Sequence, residues 1–142
     1  MSLFNIFDIA GSGMSAQAIR LNTTASNIAN AESVSSSTEK TYRARHPVFS
    51  TLYNDMGGNG LGGAAPAGGV KVNGIIESQT PLRVQYQPDH PMADESGNVY
   101  LPNVNMIEEM ANMISASRSF QSNIEVLNTS KQMLLGTLRL GE

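Results

Sequence analysis

The stretch from Asn105 to Gly141 reads NMIEEMANMISASRSFQSNIEVLNTSKQMLLGTLRLG, and its pattern decides the fold. Met106, Met110, Met113, Ser117, Phe120, Ile124, Leu127, Lys131, Leu134 and Leu138 follow one another at alternating steps of four and three residues. Eight of these ten are apolar, which is the heptad seam of a helix that packs along another helix. Asn105 with Glu108 three residues later is an N-terminal capping pattern just after Pro102, and Gly141 is a suitable C-terminal stop. Such a helix is about 50 Å long. It has little support of its own, because Glu108, Glu109, Arg118, Glu125 and Lys131 lack an opposite charge four residues away. Ala111, Ser115, Ser119 and Ser122 form a ridge of small residues beside the seam, along which a further helix can approach closely.

The other end of the chain repeats the pattern. Leu3, Phe7, Ala10, Met14, Gln17, Leu21, Thr24 and Ile28 share the four–three spacing, and six of the eight are apolar. Phe4, Ala18 and Ala25 widen the stripe, Ser2 is the expected N-cap, and the helix should end near Asn30. Gly11 and Gly13 weaken it, each by about 1 kcal/mol relative to Ala.

Between the helices the period changes. Residues 31–41 have no periodicity and read as a loop. Tyr42, Ala44 and Val48 alternate with Arg43 and Arg45 in a short strand that Pro47 should limit. Residues 54–69 hold seven glycines in sixteen positions, the composition of a linker. Strand alternation returns at Val70 and Val72, then at Leu82, Val84 and Tyr86; Asp94–Asn98 is a turn and Val99–Leu101 a last short strand. The reading is an α+β chain. It consists of an N-terminal helix over 1–30, a loop over 31–41, a small β unit over 42–101 with a glycine-rich excursion, and a C-terminal helix over 102–142. If the β unit brings its ends together, the two helices lie antiparallel as a coiled coil and share a seam.

Composition excludes several classes. Nine Lys and Arg against twelve Asp and Glu give a net charge of −3, which is not a nucleic-acid footprint. No cysteine is present, so disulfide frameworks, thiol catalysis and thiolate-bound zinc are ruled out. No apolar run approaches a membrane span, and Asp8 interrupts the apolar N-terminus, which also lacks the basic region of a cleaved signal peptide. Export, if any, is expected to proceed without signal cleavage.

Catalytic constellations are equally hard to assemble. Gly58–Gly63 matches G-x-G-x-x-G, but AAPAGG follows where a dinucleotide site needs a helix. His46 and His90 each precede proline, and no nucleophile elbow accompanies them. Asp89, His90, Asp94 and Glu95 span a turn, where solvated charges are ordinary. Glu108 and Glu109 are adjacent on a helix and point to different faces. The expectation is a non-enzyme without metal or cofactor.

Ser26-Asn27-Ile28-Ala29-Asn30 looks like the x-N-[IL]-A-N part of the S-x-N-[IL]-A-N signature of bacterial flagellar axial proteins, the rod and hook family. Met14-Ser15-Ala16-Gln17 and Arg20-Leu21-Asn22 before it, Tyr42-Arg43-Ala44, Tyr86–Asp94, and Leu101–Asn105 resemble the same family in order and spacing. So do Glu109-Met110, Ser117–Ile124 and Leu138–Gly141. The resemblance is greatest to subunits of the proximal rod; Asn98, where the family often carries Tyr, and the glycine-rich stretch depart from it. It implies a structural subunit that polymerises through its terminal helices into the periplasmic drive shaft that transmits torque. The implied partners are copies of itself, other proximal and distal rod subunits, the protein joining rod to membrane ring, the ring, and the flagellar type III export apparatus. Neither nucleic acid nor membrane insertion is implied. The alternatives are a distal-rod or hook component, or a rod-associated hydrolase. The expected assembly residues are Leu3, Phe7, Met14, Leu21, Ile28, Met106, Met110, Met113, Phe120, Ile124, Leu127, Leu134 and Leu138, with Ser26, Asn27, Ile28, Ala29 and Asn30 as the family motif.

Overall fold

The computed structural model describes residues 3–53 and 68–140. Helix α1 spans Leu3–Ala29 and helix α2 spans Met106–Leu140. At 1.5 Å per residue these are about 40 and 52 Å long. Strands β1 (Arg45–Tyr53), β2 (Gly68–Glu77), β3 (Arg83–Tyr86) and β4 (Asn98–Leu101) lie between them in the chain. The helices are antiparallel: Arg20 Nη2 donates to Asn112 Oδ1 at 2.9 Å, and Gly13 lies against the side chain of Asn123. An α+β fold with paired terminal helices is what the two seams led one to expect. Asn105 caps α2 by accepting from the Ile107 N–H at 3.2 Å. The expected cap at Ser2, the stop at Gly141 and the glycine-rich excursion over 54–67, with its G-x-G-x-x-G match, lie outside the described residues.

The strands form two separate antiparallel ribbons, β1–β2 and β3–β4. β1 continues through Pro47, which pairs with Ile75. A two-stranded ribbon leaves one edge of every strand open, and a residue without an N–H is tolerated there. β2 continues past Val72 through a bulge: Val48 pairs with Gly74 and Phe49 with Val72, so Asn73 is the extra residue. Its side-chain oxygen accepts from Ser50 Oγ at 2.8 Å across the ribbon.

The β1–β2 ribbon leans on α1. Ser12 Oγ accepts from the Val70 N–H at 3.1 Å while donating to the Ile9 carbonyl. A Cβ on Gly69 would stand 3.2 Å from that same oxygen, so the absence of a side chain allows this approach. α1 therefore serves two partners, α2 on one side and the ribbon on another.

The second ribbon closes the chain beneath the helix ends. Tyr100 exchanges backbone hydrogen bonds with Ser35, so β4 pairs with β3 on one edge and with the 31–41 segment on the other. The turn before β4 is organised by Asp94, whose Oδ1 accepts from the N–H groups of Ser96 and Asn98. Its Oδ2 accepts from the Tyr100 hydroxyl. These hydrogen bonds, that of Asn98 foremost, hold the Asp94 carboxyl below the usual carboxylate range, and the hydrogen bond to Asp94, followed by its charge, raises Tyr100. The hydrophobic core is small: Ala31, Ala44 and Val104, with Tyr42 packed against them.

Candidate assembly interface

The α1 C-terminus, the start of β1 and the entry to α2 meet at a junction held by two asparagines. Asn27 is fully buried, and its Nδ2 donates to the Arg45 carbonyl at 2.8 Å. Its Oδ1 accepts from the Arg45 N–H and from the Tyr42 hydroxyl, both at 2.9 Å. Asn103 does the same work one residue away: its Oδ1 accepts from the Ala44 N–H at 2.8 Å. Its Nδ2 donates to the Thr80 carbonyl and to Thr80 Oγ1. The Ala44 carbonyl in turn accepts from the Ser78 N–H. The backbone polar groups of residues 44 and 45 are thus all paired, three of the four by asparagine side chains.

Arg83 ties the same junction from below, donating to the Pro102 carbonyl at 3.1 Å and to the Ala31 carbonyl at 3.1 Å. The second contact places a cation at the carbonyl end of α1, where the helix dipole favours it. Arg45 lies 5.3 Å above the Tyr42 ring and pairs with Glu77 at 3.2 Å. Within the family motif, Ser26 Oγ shares a hydrogen bond with the Tyr42 hydroxyl, and Asn30 Nδ2 donates to the Ser26 carbonyl. Ile28 is half-buried and Ala29 exposed.

Along the helices, the contact face is turned relative to the heptad read from the sequence. Arg20 with Asn112 and Gly13 with Asn123 mark it; the buried or half-buried residues in line with them are Ala10, Gln17, Thr24 and Asn27 on α1 and Glu109, Met113, Ala116, Phe120 and Leu127 on α2. Every second heptad position is replaced by the residue before it: Gly13, Arg20 and Asn27 stand where Met14, Leu21 and Ile28 were expected, and Glu109, Ala116 and Asn123 where Met110, Ser117 and Ile124 were. Two physical causes act. The junction fixes Asn27 toward Arg45, and the ribbon occupies the side of α1 that bears Ser12. Gly13 and Ala116 then let the helices approach on the remaining side: a Cβ on Gly13 would lie 3.0 Å from Asn123 Nδ2, and Ala116 is fully buried.

The expected assembly residues therefore divide. Met113, Phe120, Leu127 and Leu134 are half-buried, as are Phe7, Met14, Leu21 and Ile28 on α1. Met106, Met110, Ile124 and Leu138 are exposed. The side chain of Leu3 lies outside the described residues. A second heptad emerges on the outer side of α2: Ile107, Met110, Ile114, Ser117, Gln121, Ile124, Asn128, Lys131, Leu135 and Leu138. Its apolar members stand in solvent, with Ile107 80% and Leu138 62% exposed. Of the acidic pair, Glu108 is exposed and Glu109 buried. Asp94 is committed to its turn, and His90 Nδ1 accepts from the Met92 N–H.

Two family models match the chain: "Flagella basal body rod protein" over residues 7–34 and "Flagellar basal body rod FlgEFG protein C-terminal" over residues 95–140. The flagellar basal-body rod protein FlgC of Escherichia coli O157:H7 is 52% identical over 142 residues, covering all of both chains. FlgC of Salmonella typhimurium is 51% identical over 145 residues, again end to end. This chain belongs to the FlgC family of flagellar basal-body rod proteins. The family reaches far, since FlgC of Borreliella burgdorferi is 35% identical over 99% of this chain and 98% of its own. These relatives are named as rod proteins, not as enzymes. The two family-model matches fall on α1 with the start of the junction, and on β4 with α2. Asn27 is in the first and Asn103, Glu109 and Ala116 are in the second.

Proposed function

We propose that this FlgC-family chain is a structural subunit of the proximal rod of the flagellar basal body, working as part of the shaft that carries torque. The observation that supports this reading is the outer heptad of α2. A stripe about nine helical turns long, six of whose ten positions are apolar and left in water, on a helix whose inner face is already occupied, is a surface for another helix. Where the partner meets it with a different patch, such as the flank of α1, the contact is heterologous and extends into a polymer rather than closing on itself. The partners are copies of this chain and the neighbouring proximal and distal rod subunits, with the junction to the membrane ring at the base. The location is the periplasmic part of the basal body, reached through the flagellar type III export apparatus without signal cleavage. The assembly residues are those of the outer heptad, above all Ile107, Met110, Ile114, Ile124, Leu135 and Leu138. The half-buried Met14, Leu21 and Ile28 lie on the flank of α1.

The test is Ile124→Asp. A carboxylate at a helix–helix contact is costly when it is desolvated without a partner. The variant should leave the cytoplasm yet be missing from purified basal bodies, and the cells should not swim. Normal incorporation would remove the outer heptad as the assembly surface.

A further inference from the structure

The two ends of α2 are both left uncovered, and their surfaces match. At the far end α2 outruns α1. Ser130 is buried and Leu134 half-buried, but every residue from Leu135 to Arg139 is exposed, so α1 no longer covers the helix there. Leu135 and Leu138 make this overhang apolar, and Arg139 gives it a positive charge. At the opposite end, a groove of about 810 Å³ opens between the β3–β4 ribbon and the head of α2. Pro81, Val99, Leu101, Val104, Met106 and Ile107 give it an apolar wall. Ile107 also opens the outer heptad, so groove and stripe are continuous. A helix about 10 Å wide occupies roughly 400 Å³ per turn, so the groove takes one to two turns.

Charge selects which end of a helix fits. Arg83 lines the groove and uses Nε and Nη2 on the Pro102 and Ala31 carbonyls, while its Nη1 makes no hydrogen bond among the described residues. A guanidinium with a donor to spare suits the unpaired carbonyls of a helix C-terminus and disfavours an N-terminus. Glu32 also lines the groove and is exposed. Neither Glu32 nor Arg139 has an ion pair among the described residues.

We infer that this groove receives the α2 overhang of a second copy of the chain. Leu135 and Leu138 lie on its apolar wall, the last-turn carbonyls face Arg83, and Arg139 comes beside Glu32. Head and tail are different patches, so the contact runs end to end and repeats in one direction. The inference rests on the polymer reading above and adds an end-on contact to the side-by-side one.

Disulfide trapping in the assembled rod tests this. The chain has no cysteine, so Glu32→Cys combined with Arg139→Cys supplies its only thiols. Within one molecule these positions lie at opposite ends of α2, about 50 Å apart, whereas a disulfide tolerates a Cα separation of about 7 Å. Any bond between them therefore joins two copies. Mild oxidation of purified basal bodies carrying the double variant should give covalent dimers and longer ladders of this chain, and neither single variant should. Absence of dimers from incorporated double variant would overturn the inference. So would equal dimer yield from either single variant, which marks a contact between like patches.

Charge exchange reads the same contact without thiols. Glu32→Arg and Arg139→Glu each put like charges together and should each lower incorporation about tenfold, and the two combined should restore it. Full incorporation of both single variants, or no recovery in the double, would also overturn the inference. Ile124→Asp is scored separately, so loss of the outer heptad as a contact leaves the cross-link readable.

Discussion

Asn27 and Arg45, eighteen residues apart, pair as two facing residues of an antiparallel ladder do, except that one partner uses its side chain. The carboxamide supplies one donor and one acceptor in one plane, which matches the N–H and C=O of a single residue. In this way the last turn of α1 acts as a strand neighbour for the first residue of β1. The helix pair and the ribbon are locked at a fixed angle, and that is what a shaft subunit needs if load on one is to reach the other.

Replacing Asn27 by Ala removes three hydrogen bonds, leaves both Arg45 backbone groups without their partner and leaves the Tyr42 hydroxyl with Ser26 alone. The expected loss is about 2–3 kcal/mol, read as a lowered urea midpoint for the junction and β1 amides. Asn27→Asp keeps the acceptor but loses the donor to the Arg45 carbonyl, so it should not rescue. A loss below about 0.5 kcal/mol in both variants would mean water replaces the clasp without cost.

Gly97 is the one described residue with positive φ, at 77°. A Cβ there would stand 2.9 Å from the Tyr86 ring and 3.2 Å from Pro88 Cβ. Gly97→Ala therefore combines the left-handed penalty of about 1–2 kcal/mol with a clash against a ring. Faster amide exchange at Gln87 and Asn98 is expected, with the seam unaffected. Wild-type exchange at both amides would show that the turn relaxes freely.

Much of this architecture is legible in the sequence, and the parts that are not share one cause. α2 is readable because its heptads run unbroken from Met106 to Leu138, and β4 because Asp94–Gly97 spells a turn. The family motif is readable as a signature, but the partners of Asn27 are backbone groups, which carry no residue identity. Asn103 is hidden for the same reason, since it pairs with residues 59 and 23 positions away. The turned seam is a competition effect. A heptad analysis gives each helix a single partner, whereas α1 also serves the ribbon through Ser12, and that second partner sets its rotation.

The turn at Asp94 should be sensitive to acid. Its folded carboxyl is held below the ordinary value of 3.8, chiefly by the Asn98 N–H, so the ionised form is the one the fold favours. The turn's contribution is complete above that value and is lost as pH falls through the lower, folded one. Amide exchange at Ser96 and Asn98, corrected for intrinsic rate, should be protected at pH 6 and lose protection only as pH falls below the ordinary carboxylate value. Asp94→Asn should abolish that pH dependence. Persistence of the dependence in the variant would assign it to another group.

Shortening the glycine-rich segment between β1 and β2 should be tolerated. Tyr53 pairs with Gly68, so the ribbon's ends are set by the ladder, and reducing the connection from fourteen residues to about four changes closure entropy by about 1 kcal/mol. Motility lost while export persists would make that segment a contact surface.

The turned seam itself can be tested at its two α1 glycines. Gly11 and Gly13 both lie inside α1, and replacing an interior helical glycine by alanine is worth about 0.5–1 kcal/mol where space allows. A Cβ on Gly11 meets nothing within 4 Å, whereas one on Gly13 lies 3.0 Å from Asn123 Nδ2. Gly11→Ala should therefore protect the amides of α1 outright. Gly13→Ala should give little or nothing, because the gain in helix propensity is offset by displacing Asn123. In an Asn123→Ala background the obstacle is gone, and Gly13→Ala should then match Gly11→Ala. The double-mutant cycle isolates the Gly13–Asn123 contact from propensity, which is common to both arms. If the two glycine substitutions behave alike with Asn123 intact, the helices do not meet at Gly13. The seam would then be the one through Met14 and Ile124, and the outward placement of Ile124 would have to be abandoned.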